Sequence, residues 1–186
     1  AGPVLSAQAY NRESKTVPIV MAGGTGALRV GLIASMARPG GNVTGVSNQG
    51  DELTQKLFEL LKEIAPRAKR VMALSSGQAV IEPDTRSASR AAAKAYGMTL
   101  IEALADSPEK IRQVSALCAR ERCEALVVLL DPYFTSRRTD VVALAAKLRL
   151  PAVYAGGVEV GEAGGLITYA ADARTGVHRA ATYVDR

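Results

Sequence analysis

Aromatic residues are scarce in this 186-residue chain: six Tyr, two Phe and no Trp, 4% of the total. Basic residues are not interleaved with rings. Arg67, Lys69, Arg70, Arg137 and Arg138 are scattered through helical segments, so the net charge of +5 reads as a solvated surface and no nucleic-acid partner is expected. Histidine occurs once, His178, in a charged C-terminal segment. That leaves no Ser-His-Asp or Cys-His constellation and no metal cluster, so the chain reads as a non-enzyme with no cofactor. Cys118 and Cys123 are five apart, a spacing that fits neither CxxC nor a zinc knuckle, and they read as buried or half-buried free thiols. No apolar run approaches the roughly 20 residues that span a bilayer. The N-terminal AGPVLSAQAYNRESK lacks the basic start and apolar middle of a signal peptide, so either the protein is cytosolic or a leader has been removed.

What is present is an α/β pattern. At 48% apolar and 22% charged residues, the chain can build one good core or two small lobes. Leu126–Phe134 (LVVLLDPYF) is an apolar run too short for a helix and is stopped by Asp131-Pro132, because proline removes a backbone donor. Tyr133 and Phe134 are thereby expected on a loop at a strand's carboxyl end, the edge where ligands dock in open α/β sheets.

Along the chain, a helix over Leu5–Ser14 leads to a strand ending at Met21, the turn Ala22-Gly23-Gly24-Thr25-Gly26, and an expected helix from Ala27 to about Ala37. Leu28, Leu32, Ile33 and Met36 would share one face of it. After the breakers Arg38–Asn42 and a short strand Val43–Val46, a helix over Asp51–Ile64 carries Leu53, Leu57, Leu60, Leu61 and Ile64 inward. Regular alternation follows: strand 70–74, loop 75–84, helix 85–96, strand 98–104, helix 108–120 capped by Ser107 with Pro at its first position, strand 125–130, helix 136–148 and strand 152–154. Gly156–Gly165 reads as a glycine-rich loop carrying Glu159 and Glu162, followed by a strand 166–169 and a helix from Asp172. Such alternation implies a doubly wound parallel sheet with helices on both faces.

Gly23-Gly24-Thr25-Gly26 sits where a dinucleotide loop would, but the GxGxxG pattern fails, since its third glycine position holds Arg29. The turn is either structural or holds a ligand carboxylate through its amides and the Thr25 hydroxyl, with Gly26 beside it. Ser75 and Ser76 end the next lobe's first strand, as ligand donors or as turn formers. Asp131 is the best polar candidate: it binds an ammonium group or braces its own turn. Tyr133 and Tyr169 offer ring contacts, and Glu159 a further carboxylate. The spacing of Asp131 and Glu159 does not establish a catalytic pair. Asn42-Val43-Thr44 matches a glycosylation sequon but reads as turn plus strand start.

Pro18–Met21, Gly31–Ser35, ARPGGNVTG (Ala37–Gly45), LFELLK (Leu57–Lys62), Asp131–Phe134, Leu150–Tyr154 and AGGLITY (Ala163–Tyr169) occur in order. This series resembles the ABC-transporter substrate-binding proteins of the tryptophan/tyrosine type, which have the type I periplasmic binding fold. The resemblance implies two lobes that close on a small ligand, with hinge crossings at Asn42–Ser47 and Gly165–Tyr169. Residues 1–45 and 165–186 would then be part of a first lobe and residues 46–164 a complete second lobe. The expected ligand is an amino acid, or an aromatic or other small carboxylate. Where family members carry an acidic residue and Pro after the first strand, this chain has Gly23–Gly26. The resemblance also implies a membrane permease partner and a periplasmic or extracytoplasmic location. An incomplete first lobe, with a sheet edge uncovered, invites a homodimer of the fragment. The rival readings are the ligand-sensing effector domain of a transcriptional regulator, which uses the same fold, and an α/β enzyme such as a racemase.

Overall fold

The computed structural model describes residues 3–47, 50–77 and 82–184, so the expected loop 75–84 lies partly outside the described residues. The chain folds as two compact units, 1–50 with 171–186, and 51–170. The borders expected from the resemblance fell at 45/46 and 164/165.

In the smaller unit, helix α1 (Pro3–Glu13) precedes the parallel strands β1 (Ile19–Met21) and β2 (Val43–Gly45). Their register sets Ile19 against Val43 and Met21 against Gly45. The two backbones approach so closely that a Cβ on Gly45 would collide with the Met21 carbonyl and lie 2.6 Å from the Met21 nitrogen, and Gly45 has φ +130°. This is the physical reason for the last glycine of ARPGGNVTG. Val4, Ala7, Met21, Ala27, Leu32, Ile33 and Val43 form the unit's core. A C-terminal helix, Ala173–Val184, packs against both strands. Asn42 is spent structurally: its side-chain amide donates to the carbonyls of Ser14 (3.1 Å) and Val17 (2.8 Å).

The helix expected over Ala27–Ala37 is not formed. One helical turn closes with Val30 N–H donating to Gly26 O (3.0 Å), and then Gly31, at φ +69°, ends it. Gly31 N–H donates to Leu28 O and Leu32 N–H to Ala27 O, the paired bonds of a Schellman stop. Apolar spacing of 3.6 was therefore misleading: Leu32 and Ile33 are buried, but Leu28 and Met36 are more than half exposed.

The larger unit is a five-stranded parallel sheet. Its elements in chain order are α2 (Gly50–Ile64), β3 (Arg70–Ser75), α3 (Glu82–Ala95), β4 (Thr99–Leu104), α4 (Pro108–Glu121), β5 (Ala125–Val128), α5 (Pro132–Ser136), α6 (Arg138–Leu148), β6 (Ala152–Ala155), α7 (Val158–Glu162) and β7 (Ile167–Tyr169). The strand order is β4-β3-β5-β6-β7, all pairs parallel. The C-terminal helix is α8. Strands β5 and β6 are buried along their whole length, as expected of strands covered on both faces. Alternation sends Met72, Leu74, Leu126, Val128 and Tyr154 to a core under α4, α6 and α7. Val71, Ala73, Val127 and Val153 go to the opposite core, beneath Leu57, Phe58 and Leu61 of α2 and Ala92 and Ala93 of α3. The doubly wound sheet expected from the sequence is thus present.

Two loops are instead short helices. Asp131-Pro132 does end the strand, but it also starts a helix: Asp131 is the N-cap of α5 and Pro132 occupies its first turn. Tyr133 and Phe134 are therefore helical, and Phe134 is buried. In the same way α7 rises from Gly157 within the glycine-rich segment, because Val160 packs into the core.

Candidate functional site

A strand order in which β3 lies between β4 and β5 has its topological switch between β3 and β5, since the chain leaves β3 through α3 on one face and reaches β6 from β5 through α6 on the other. Crevices at the carboxyl ends of such strands are where α/β sheets bind ligands. Three of the candidates meet there. The Ser76 amide and hydroxyl both donate to Asp131 Oδ2, at 2.9 Å and 2.5 Å, while the Tyr133 amide donates to Oδ1 at 2.9 Å. Asp131 is 2% exposed. Its two oxygens are thus occupied within the protein, and it ties the end of β3 to the start of α5 across the switch.

The other candidates in this unit, and the Tyr133 side chain, lie along the same sheet edge. Ser75 points to the opposite face from Ser76 by the period of two, and lines a cavity of about 20 Å³ with Thr85, Ser89 and Glu102. That volume holds about one water. Arg90 (2.6 Å) and Arg86 (3.7 Å) pair with Glu102 beside it. Tyr133 is half-buried, its hydroxyl has no hydrogen-bond partner among the described residues, and the Arg137 guanidinium lies 6.0 Å from its ring centre. Glu159 turns back on its own helix, accepting from the Gly157 amide at 3.3 Å. Tyr169 ends β7 and is 40% exposed.

Thr25 and Gly26 lie in the smaller unit, in the turn after β1, where Ser47 Oγ donates to Gly24 O at 3.2 Å. That unit also has a cavity of about 140 Å³ lined by Met21, Ile33, Met36, Thr44, Ser47 and Tyr183 among others, and neither Thr25 nor Gly26 borders it. His178 is exposed on α8. Among the described residues no group of three His, Cys, Asp or Glu could hold a metal, and no helix is long and apolar enough to cross a membrane.

A family model described as ABC transporter substrate binding protein matches residues 1–186. The chain belongs to that family. A tyrosine-binding protein of Clostridioides difficile (strain R20291) is 42% identical over 67 residues, 36% of this chain and 19% of that protein. An ABC domain from Streptococcus pneumonia, solved in complex with L-Trp, superposes with a TM-score of 0.83 at 26% identity, over 97% of this chain and 62% of that one. A conserved domain protein from Vibrio cholerae superposes at 0.84 and 23% identity, over 98% and 60%, which shows the fold alone. The chain spans about three fifths of the length of these two structures.

In this substrate-binding family member, Lys56 lies midway along α2 and pairs with Glu59. Its ammonium is held above the ordinary lysine range, first by the hydrogen bond to Glu59 (2.7 Å) and in smaller part by Glu63 and Tyr169. A lysine at i and a glutamate at i+3 on an amphipathic helix read as a surface pair. Tyr154, on the other face, is pushed up to about 12 by burial and carries no charge at neutral pH.

Proposed function

We propose that the full-length protein is the extracytoplasmic substrate-binding component of an ABC importer, capturing a small amino-acid-like ligand and delivering it to a membrane permease. The observation that carries this is the family match along the whole chain, joined to candidate residues gathered at the carboxyl edge of a doubly wound sheet. The tyrosine-binding relative and the tryptophan-bound neighbour support an amino acid as the ligand class. In this reading Ser75 and Tyr169 are the ligand candidates of the larger unit, and the amides and hydroxyl at Thr25-Gly26 are those of the smaller unit. Glu159 and the Tyr133 ring border the edge. Asp131 acts by position: it fixes Ser76 and the start of α5. No bond is made or broken; capture shifts the protein toward the conformation that holds the ligand. A regulator's effector domain shares the fold, as the LacI-family neighbour from Bifidobacterium animalis does at 11% identity and a TM-score of 0.61, but nothing beyond the fold favours it.

The test is calorimetry and thermal shift on the full-length protein with tyrosine, tryptophan, aliphatic amino acids and small carboxylates. Saturable binding of at least one, weakened about tenfold or more by Tyr169→Ala, is expected, tenfold corresponding to about 1.4 kcal/mol. Silence across the panel overturns the proposal.

A further inference from the structure

Helix α4 ends in a Schellman stop. Arg122 adopts the left-handed conformation (φ 51°) and donates its N–H to Ala119 O at 3.2 Å, while Cys123 N–H donates to Cys118 O at 2.9 Å. Cys118 is therefore the C3 residue and Cys123 the C″ residue, the two positions whose side chains come into contact in this motif. Both side chains pack on one core cluster, Cys118 buried in it and Cys123 half-buried against its rim. An apolar contact between these positions frequently accompanies the motif; here both positions carry thiols.

We propose that Cys118 and Cys123 form an intrachain disulfide that staples the C-terminus of α4. The turn and the shared core cluster set both side chains at the same end of α4. Cys118 is pushed up to about 12, first by burial and then by the Cys123 thiol, and its S–H points at Met72 Sδ, 3.6 Å away. Cys123 is also raised by burial, but the nearby Arg70 charge favours its thiolate. Cys123 is thus the first to react. With a small-molecule disulfide such as oxidised glutathione, the Cys123 thiolate attacks one glutathione sulfur and releases one reduced glutathione. The Cys118 thiolate then attacks the Cys123 sulfur and releases the second. Two protons leave the protein and two electrons reduce the glutathione disulfide. The buried Cys118 makes the second step slow at neutral pH and faster as pH rises. The geometry stands whatever the compartment, and the extracytoplasmic location of the proposed function is an oxidising one.

The experiment treats the full-length protein with oxidised glutathione at pH 8.5, blocks remaining thiols with N-ethylmaleimide after unfolding, and maps tryptic peptides without reductant. Trypsin cuts after Arg112, Arg120, Arg122 and Arg137, so the disulfide joins Gln113–Arg120 to Cys123–Arg137 and the Glu121-Arg122 dipeptide is lost. The linked pair is the expected result, lighter by two hydrogens than its reduced peptides together. Cys118→Ser should stop at one stable glutathione adduct on Cys123, and Cys123→Ser should give no linked pair and no adduct on the buried Cys118. The oxidised protein should melt no lower than the reduced one. Maleimide on both cysteines, a lasting adduct on Cys123 in the unsubstituted protein, or a melting temperature lowered by several degrees on oxidation would each overturn the proposal.

Discussion

Replacing Asp131 separates bracing from ligand contact. In the native chain its carboxylate accepts from the Ser76 amide, the Ser76 hydroxyl and the Tyr133 amide, and caps α5, all at 2% exposure. Asp131→Ala removes the cap, worth about 0.5–2 kcal/mol. It also leaves the amide of buried Ser76 without its acceptor, at a cost of about 1–3 kcal/mol. The two losses share one side chain and do not add in full, so a loss of about 2–4 kcal/mol is expected. Asp131→Asn keeps one acceptor oxygen, enough for either the Tyr133 or the Ser76 contacts but not both, and should lose about half as much, roughly 1–2 kcal/mol. The assay is urea denaturation of full-length protein, where a slope of about 1–3 kcal/mol per molar urea turns the alanine loss into a midpoint shift of about 1 M or more. Ligand affinity is then measured well below the midpoint. If Asp131→Ala leaves the midpoint in place and abolishes binding, the carboxylate faces the ligand and the bracing argument is wrong.

Three further outcomes test other joints of the structure. Gly45→Ala, at φ +130° and against the Met21 backbone, should destabilise the smaller unit by about 3 kcal/mol or more, seen as an earlier melting step by calorimetry. Ser107→Ala removes the side-chain bond to the Lys110 amide (3.2 Å) and should cost about 1 kcal/mol by denaturation, whereas Ser107→Asp should be close to neutral. The Glu124 carboxylate, held below the usual range by the amides of Lys69 and Arg70, contributes stability that is present above the unfolded carboxylate range and is lost as pH falls through the folded value. Glu124→Gln should therefore melt lower than the parent at pH 7, and the gap should close under acid.

The sheet was legible because its interior strands are continuous apolar runs bounded by Gly, Pro and capping Ser, and because Ser107-Pro108 marks a helix start. Where reading failed, one signal had two meanings. Asp131-Pro132 stops a strand and also caps a helix, and Gly31 ends a turn that apolar spacing extends by two more. The Ser76–Asp131 contact was out of reach of any local pattern, since 55 residues separate the partners and only the β3–β5 register brings them together.

The two adjacent serines show how the period of a strand divides labour. Ser76, one residue past β3, is buried and committed to Asp131 at the start of α5, so its hydroxyl has its partner before any ligand arrives. Ser75, one residue earlier, faces the α3 side, where its cavity is bounded by Thr85, Ser89 and Glu102. A β-strand cannot present neighbouring side chains to one crevice. It follows that of the pair only Ser75 keeps a hydroxyl available, and that Ser76→Ala should act through stability, by about 1 kcal/mol for the one hydroxyl bond. Ser75→Ala should act through affinity with the denaturation midpoint unchanged. The reverse pattern would mean that the ligand approaches the Asp131 face, and that the committed contact opens to receive it.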